Sequence, residues 1–259
     1  MNRQELKDFL IAFLFPNRCR YCLSVIKHSE EICKKCEDNL HEITGELCLK
    51  CGCSKEDCSC KGHKSYYEAI FAPFYYDGTA GNSIRLLKFR KKTEVADILA
   101  EGMAKCYVNN VADYSPDLVT FVPMHKKKQK ERGFNQAELL TRKMCELLNL
   151  PCEELLIKPQ ESDEQHFLDE TLRKGNLIGM FEINPEIDIL DKRILLCDDI
   201  KTTGSTLDEC AKTLLIAGAS DVLCLTCAVA KKKNNKKWTQ SWKTTLSSFF
   251  ISRIFLPED

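Results

Sequence analysis

From about residue 66 to residue 230, short apolar runs alternate with longer amphipathic stretches. The short runs predict strands at 69–78, 117–124, 153–159, 177–183, 192–199 and 221–230. The longer stretches, whose apolar residues recur at helical spacing, predict helices over 79–111, 135–150 and 206–219. Strands that alternate with helices indicate an α/β domain in which helices flank a mostly parallel sheet. Ligands are then expected at the carboxyl ends of its strands.

The residues before this domain lack such alternation. They open with the apolar run FLIAFLF (9–15), which is too short to cross a bilayer, where about 20 residues are needed. Glu5 and Asp8 precede this run and no small-residue cleavage site follows it. We therefore expect a helix packed on the protein's own surface, not a signal peptide or a transmembrane segment. A cysteine-rich stretch follows, and residues 1–65 are predicted to form a small separate domain.

The tail of the chain has a third composition. Its KKKNNKK stretch carries five lysines in seven residues, and Trp238, Trp242 and the apolar LSSFFISRIFL follow. A solvated linker with a small docking helix accounts for this pattern. A contact with nucleic acid or a membrane surface also accounts for it, because lysines beside aromatic rings suit phosphates and bases. The chain is thus predicted to have three parts: 1–65, 66–230 and 231–259.

The 259 residues carry a formal net charge of zero and include 16 cysteines. Zero net charge gives no global argument for nucleic-acid binding, so such an argument must rest on local patches. Nine of the cysteines lie between Cys19 and Cys60, most of them in C-x-x-C pairs. That spacing indicates zinc in a reducing compartment more often than disulfides. We therefore expect a cytoplasmic protein.

Eight of these nine cysteines form four close pairs, Cys19/Cys22, Cys33/Cys36, Cys48/Cys51 and Cys58/Cys60. Two pairs supply the four thiolates of a tetrahedral site with no open position, so we expect two structural Zn²⁺ ions. Sequential pairing would give two small ribbons, whereas a cross-braced arrangement would join the first pair to the third; the spacing leaves both open. Cys53 is either a spare thiol or a ligand in place of a neighbour. Cys224 and Cys227 lie in a predicted strand, face opposite sides and belong to the core.

The stretch RILLCDDIKTTGST (193–206) carries the strongest chemical signal. A buried strand leads to Asp198 and Asp199, whose carboxylates can hydrogen-bond the hydroxyls of a ribose or hold a hydrated Mg²⁺. The loop that follows precedes a helix, whose N-terminal N–H groups bind anions, and its hydroxyls add donors. This segment predicts a site for a phosphorylated sugar, lined by Lys201, Thr202, Thr203, Gly204, Ser205 and Thr206.

Two other phosphate motifs are absent from the chain: no G-x-x-x-x-G-K-[ST] loop occurs, and no G-x-G-x-x-G follows a strand. A purely structural strand–turn–helix junction, capped by Ser or Thr with two solvent-facing acids, is the alternative interpretation. Caps rarely need five such residues in a row, which favours the binding loop.

Three motifs resemble known families. LLCDDIKTTGST resembles the ribose-phosphate motif of type I phosphoribosyltransferases. VPMHKKKQKERGFNQA (122–137) and QHFLDETLRKGNLIGMF (165–181) resemble the ComF/ComFC competence family, as does the cysteine-rich front of the chain. The resemblance runs from about residue 10 to residue 230. Cys197 departs from it, because an aliphatic residue is usual at that position.

The resemblance implies a type I phosphoribosyltransferase fold preceded by a double zinc ribbon, and a site that binds phosphoribosyl pyrophosphate with Mg²⁺. It assigns the pyrophosphate to the loop of Lys126, Arg132 and Gly133. The polar stretch 160–176 resembles the mobile hood of such enzymes, and Arg173 is its candidate charge contact. Asp198 and Asp199 are the candidate catalytic residues.

Two functions of different class follow. The first is transfer of a phosphoribosyl group to an unknown acceptor. The second is a non-catalytic competence protein that handles single-stranded DNA during DNA uptake, together with other competence proteins. The DNA track would then comprise the zinc ribbons, the lysine tail, and Arg85, Lys88, Arg90, Lys91 and Lys92. Steep salt dependence of DNA binding would be its signature.

Overall fold

A computed structural model describes residues 16–60, 64–159 and 180–231. Its α-helices are α1 (Lys34–Asp38), α2 (Gly78–Arg90), α3 (Ala96–Asn110), α4 (Lys126–Arg132), α5 (Gln136–Leu148) and α6 (Ser205–Ile216). Its strands are β1 (Ala69–Phe71), β2 (Phe74–Tyr75), β3 (Leu118–Phe121), β4 (Leu156–Ile157), β5 (Glu182–Ile183), β6 (Arg193–Lys201) and β7 (Asp221–Val229). The apolar run at 9–15 and the tail beyond Lys231 lie outside the described residues.

The main sheet has the order β1-β7-β6-β3, with β2 also paired to β7, and all of these pairings are parallel. This confirms the predicted mostly parallel sheet. The strands predicted at 153–159 and 177–183 are each only two residues long, and they pair with one another in antiparallel fashion, outside that sheet. Strand β4 precedes the stretch that resembles a hood, and β5 follows it.

The helix predicted over 79–111 is interrupted. Helix α2 ends at Arg90 because Lys91 adopts a left-handed conformation with φ of 52°. A 3₁₀ turn at Thr93–Val95 then leads into α3. The predicted strand at 69–78 is divided as well, because Pro73 has no N–H to donate to a ladder. Apolar residues continue across Pro73, and the helical pattern resumes at Val95 after the polar run 90–94, so sequence reasoning joined the segments in both cases.

The two faces of the sheet carry separate apolar cores. One core packs α2, α3 and α5 against the sheet and includes Leu140 and Cys227. The other packs α6 and includes Leu214 and Cys224. Cys224 and Cys227 are fully buried on opposite faces, as expected for residues of odd spacing on a strand.

The connections of β3 and β6 leave in opposite directions. After β3 the chain passes through α4 and α5 to the outer edge, where Cys152 forms a parallel bridge with Val119. After β6 it passes through α6, on the other face, to β7 on the inner side. A crevice therefore opens between the carboxyl ends of β3 and β6, the position where open α/β sheets bind ligands.

The cysteine-rich region packs on this domain through several contacts, among them those to α2 and β1. Tyr21 and Cys36 offer their carbonyls to the hydroxyls of Ser83 and Thr79 on α2. The segment around Leu49 lies beside β1 instead. Within 16–60, 64–159 and 180–231, none of the helices combines the length and hydrophobicity that a membrane span requires.

Candidate functional site

The acid pair lies inside β6, not at its end. The strand continues to Lys201 because β7 pairs with it as far as Lys201↔Val229, whereas β3 pairs with it only as far as Phe121↔Cys197. Beyond Cys197, β6 no longer pairs with β3, so this edge of β6 is open. Asp198 and Asp199 are the first two residues past that point, at the β3/β6 crevice.

Adjacent residues of a strand point to opposite faces, and the two acids follow this rule. Asp199 faces α2, where its Oδ2 lies 2.8 Å from Nζ of Lys88, and both side chains are largely buried. Asp198 faces the α6 side, near Cys210. The pair is therefore divided between an ion-paired carboxylate and a second one on the other face.

Asp198 is half-buried, and its Oδ1 accepts a 2.7 Å hydrogen bond from the N–H of Asp199. Burial, followed by the charge of Asp199, raises the pKa of Asp198 well above its usual value. A cation or hydrogen-bond donor brought by a ligand would stabilise the ionised form of this carboxyl, which burial disfavours.

The threonine loop ends in the N-terminus of α6. Gly204 is the N-cap residue, with φ of 91°, a left-handed conformation that favours glycine. The Thr203 and Ser205 hydroxyls lie 3.0 Å apart, and both residues are exposed. Thr202 and Thr206 are exposed as well. N–H groups and hydroxyls are thus presented together at the start of a 12-residue helix, the geometry of an anion site.

Lys201 does not share this exposure. Its side chain is buried, and its Nζ donates a 3.1 Å hydrogen bond to the carbonyl of Cys51 in the cysteine-rich region. A cavity of about 560 Å³ lies between the loop and that region. Thr202 to Ser205 line one side of it, and Lys50, Cys51 and Lys64 line the other.

The basic stretch assigned to pyrophosphate is helical here, as α4, with Lys126 as its exposed first residue. Arg132 donates to Oε1 of Gln136 at 2.9 Å and its guanidinium lies 6.0 Å from the ring centroid of Phe89. Gly133 ends the helix with φ of 92°. Arg173 falls within 160–179, outside the described residues.

The eight paired cysteines gather into two groups of four, Cys19, Cys22, Cys33 and Cys36, then Cys48, Cys51, Cys58 and Cys60. The pairing is therefore sequential. Within each group all sulfur atoms lie within 4.8 Å of one another. The Cys22–Cys33 and Cys51–Cys58 separations, 3.8 and 3.7 Å, match the edge of about 3.8 Å in a tetrahedral ZnS₄ site. Other separations in the second group are shorter, from 3.0 to 3.4 Å. Four thiols gathered in each group are the donor set of structural zinc.

Cys53 lies outside both groups and is buried. Its carbonyl accepts a hydrogen bond from the Cys48 N–H, so its backbone closes the second knuckle without its sulfur. Although burial opposes ionisation, hydrogen bonds from the Cys58 thiol and the Lys50 N–H lower the pKa of Cys48 to about 6.

Sequence reasoning missed two features of this site. Lys88 was assigned to a DNA track, yet it pairs with Asp199. No sequence pattern predicted that Lys50 and Lys64 line the cavity beside the loop 202–206 (the phosphate-loop cavity), because their positions depend on how the cysteine-rich region packs on the domain.

Two family models match the chain. A double zinc ribbon domain matches residues 10–64, and a phosphoribosyl transferase domain matches residues 153–253. Among solved structures, glutamine phosphoribosylpyrophosphate amidotransferase from B. subtilis is similar, with 20% identity over 51% of this chain and 26% of that chain, at a TM-score of 0.39. A purine phosphoribosyltransferase from Pyrococcus horikoshii is 12% identical over 51% of this chain and 83% of that one, at 0.33.

Curated relatives carry names from DNA uptake and use. DNA utilization protein YhgH of Escherichia coli (strain K12) is 32% identical over 54% of this chain, which spans only 62% of that relative's length. Competence protein ComFC of Bacillus subtilis (strain 168) is 27% identical over 76% of this chain and 82% of the relative. The chain thus combines a double zinc ribbon with a phosphoribosyltransferase domain, and it is similar to proteins named for DNA utilization and competence.

Proposed function

We propose that the protein binds phosphoribosyl pyrophosphate together with Mg²⁺ and transfers its phosphoribosyl group to an unknown acceptor. The observation that carries this proposal is the placement of two groups on one chain segment: Asp198 lies on β6 where β3 no longer pairs with it, and the Gly204 loop follows the end of the same strand. The loop takes the 5′-phosphate, and the acid takes the sugar.

The loop supplies donors without a charged side chain of its own. Backbone N–H groups at the start of α6 and the exposed hydroxyls of Thr203, Ser205 and Thr206 are the donors assigned to the 5′-phosphate. The helix dipole adds a further favourable term for a dianion such as a 5′-phosphate. Thr202 lies at the entrance to the adjoining cavity.

Asp198 is the carboxylate assigned to the ribose hydroxyls, since Asp199 already pairs with Lys88. Mg²⁺ commonly keeps several waters and binds one or two carboxylates together with substrate phosphates, so Asp198 with a pyrophosphate ligand is a suitable donor set. The ion, when bound, neutralises charge on the departing pyrophosphate. Asp199 keeps Lys88 in place beneath the same edge.

In the proposed reaction the bond from the anomeric carbon to the pyrophosphate oxygen breaks, and the acceptor's nucleophilic atom bonds to that carbon. Charge grows on the pyrophosphate as it leaves, so positive side chains near it lower the barrier. Lys126 and Arg132, with the Gly133 backbone, are assigned this part, and Arg173 is assigned a contact from the hood. No protein nucleophile is needed.

Calorimetric titration with phosphoribosyl pyrophosphate and Mg²⁺ tests the proposal. Saturable binding is expected for the wild type. Asp198→Asn should weaken it roughly 10- to 150-fold, because charge-assisted hydrogen bonds contribute about 1.5–3 kcal/mol. The control is Asp113→Asn, an exposed acid in a surface 3₁₀ turn, which should bind as the wild type does. Absence of binding by a folded, zinc-loaded wild type would overturn the proposal.

A second function, single-stranded DNA handling, is favoured by an exposed aromatic ring among cations. Phe89 on α2 is 68% exposed, and Arg90, Lys91 and Lys92 follow it, all exposed. Rings of this kind stack on bases while the cations contact phosphates. The names of the relatives, which refer to DNA utilization and competence, support the same role. A cytoplasmic location and contacts with other competence proteins are part of this proposal. The two functions are compatible.

A further inference from the structure

We propose that the second zinc ribbon positions the 5′-phosphate loop through Lys201, so that ligand binding depends on zinc in the second cysteine group. Lys201 is then a positioning residue and not a phosphate ligand. The inference rests on the proposed function, because it concerns the same loop.

The zinc knuckle of the second group is held by the phosphoribosyltransferase domain through three successive carbonyls. The Leu49 carbonyl accepts from the N–H of Ile70 on β1 at 2.9 Å. The Lys50 carbonyl accepts from the Tyr67 hydroxyl at 3.2 Å, and the Cys51 carbonyl accepts from Lys201 Nζ at 3.1 Å. Three consecutive residues of the knuckle thus contact the domain, and the last of these contacts, at Cys51, is made by Lys201, just before the loop.

Lys201 runs directly beneath the turn at Gly204. A Cβ placed on Gly204 would meet Cε of Lys201 at 3.0 Å and the Tyr67 hydroxyl at 3.5 Å. The loop therefore rests on the lysine side chain, whose far end is fixed on Cys51. A buried ammonium needs such a partner, because an unpaired charge in this position is costly.

The charge of the zinc site also favours the contact between Lys201 and the Cys51 carbonyl. Four thiolates around Zn²⁺ carry a net charge of about −2, which attracts the ammonium that points at the knuckle. A metal-loaded second group therefore holds Lys201 more firmly than a metal-free one.

Zinc is also what keeps the knuckle in shape. The turn is closed by N–H donations from Cys51 and Gly52 to the Cys48 carbonyl, and the segment has little apolar core of its own. Gly52 packs so closely on the domain that a Cβ there would lie 3.2 Å from Cγ1 of Val229. Small modules of this kind unfold when the metal leaves, and the carbonyls would then lose their positions.

The first cysteine group makes its contacts elsewhere. Tyr21 and Cys36 bind Ser83 and Thr79 on α2, and none of its four cysteines lines the phosphate-loop cavity. The two zinc sites are therefore expected to differ: the second affects the loop, and the first does not.

The test combines amide hydrogen exchange of the ligand-free protein with calorimetric titration of phosphoribosyl pyrophosphate and Mg²⁺, and a zinc determination on each variant. Lys201→Met removes the ammonium and keeps the aliphatic stem. Cys58→Ser removes a ligand from the second group, and Cys33→Ser removes one from the first. Lys55→Met is the matched control, since Lys55 lies on the second ribbon but pairs with Glu46.

The expected result is faster exchange of residues 202–206 in Lys201→Met and Cys58→Ser, with exchange as in the wild type for Lys55→Met and Cys33→Ser. Ligand affinity should fall about tenfold in the first two variants, the effect of one charge-assisted hydrogen bond. Lys201→Met should retain two zinc ions, which separates its effect from metal loss.

Two results would overturn the inference. One is weaker ligand binding in Lys201→Met with unchanged loop exchange and wild-type binding by Cys58→Ser, which would make Lys201 a direct ligand contact. The other is unchanged loop exchange in both variants. If the wild type binds no phosphoribosyl pyrophosphate, the proposed function fails but the exchange data still decide the coupling. If Cys58→Ser does not fold, Lys201→Met decides it alone.

Discussion

Nζ of Lys88 lies 2.8 Å from Oδ2 of Asp199, and the two side chains are 18% and 12% exposed. This contact joins α2 to β6 beside the β3/β6 crevice. The two acids therefore differ, because only Asp199 forms an ion pair with this lysine. Because both side chains are largely buried, breaking this ion pair should destabilise the fold more than breaking a surface ion pair.

Lys88→Met should destabilise the fold because it leaves the Asp199 carboxylate largely buried without its cation. A fully buried pair broken in this way costs about 3–5 kcal/mol, and we expect about 2 kcal/mol here because some solvent reaches both groups. The double variant Lys88→Met/Asp199→Asn should recover most of this loss. Urea denaturation measures both, with Lys192→Met, an exposed lysine, as control. Equal stability of Lys88→Met and the wild type would contradict the prediction.

Asp198 should make stability depend on pH. Its pKa in the folded state is raised by burial and by Asp199, so the folded state binds this proton more tightly than the unfolded chain. The resulting stabilisation is fully present below the ordinary aspartate pKa and is lost as pH rises through the folded value. Asp198→Asn, which cannot ionise, should therefore melt at a higher temperature than the wild type at pH 8.

This advantage of Asp198→Asn should shrink as pH falls toward about 4, where the wild-type carboxyl becomes neutral as well. Thermal melts from pH 4 to pH 8 in Mg²⁺-free buffer measure the difference. Asp113→Asn, at an exposed acid, should show no such trend. A gain that is constant across the range would mean that charge at position 198 is not the cause.

Gly204→Ala should damage the phosphate loop in two ways. The residue has φ of 91°, which costs an alanine about 1–2 kcal/mol, and the new methyl group would press on Lys201 Cε. Gly45→Ala is the matched control, with φ of 79° and nothing within 4 Å of the added carbon. Both variants should lose stability through strain, but only Gly204→Ala should lose ligand binding in calorimetry. Equal binding by the two would show that the loop tolerates the contact.

The number of bound zinc ions should match the two groups of four cysteines. Metal analysis of the purified protein should find two zinc ions per chain, and Cys58→Ser should retain one. Cys53→Ser should retain two, since the Cys53 sulfur lies outside the second group although it is five residues from Cys58. Loss of one zinc ion in Cys53→Ser would instead identify it as a ligand.

Local patterns in the sequence were sufficient for the strands and helices nearest the site. Apolar runs located β6 and β7, and the spacing of apolar residues located α5 to within two residues at each end. The sequence did not reveal that β6 runs two residues past its predicted end, because that extension depends on pairing with β7. The break after Arg90 depends on one left-handed residue, Lys91, which has no composition signal.

Contacts between distant segments were beyond sequence reasoning. Lys201 and Cys51 are 150 positions apart, and their contact depends on the angle at which the ribbon docks. The Lys88–Asp199 pair depends likewise on the rotation of α2 over the sheet. Sequence motifs identified the residues with functional side chains. Tertiary packing determines which of them lie at the crevice and which contact one another.

Phe89→Ala should weaken single-stranded DNA binding if the exposed ring stacks on bases. Stacking contributes about 1–3 kcal/mol per base, so the dissociation constant should rise roughly 5- to 150-fold in a fluorescence anisotropy titration with an oligonucleotide. Ile216→Ala is the control, because Ile216 is 77% exposed at the end of α6, on the opposite face of the sheet. The salt slope should be the same in Phe89→Ala and wild type, since no phosphate contact is lost, whereas Arg90→Met should reduce it. Unchanged affinity in Phe89→Ala would remove the observation that favours this function.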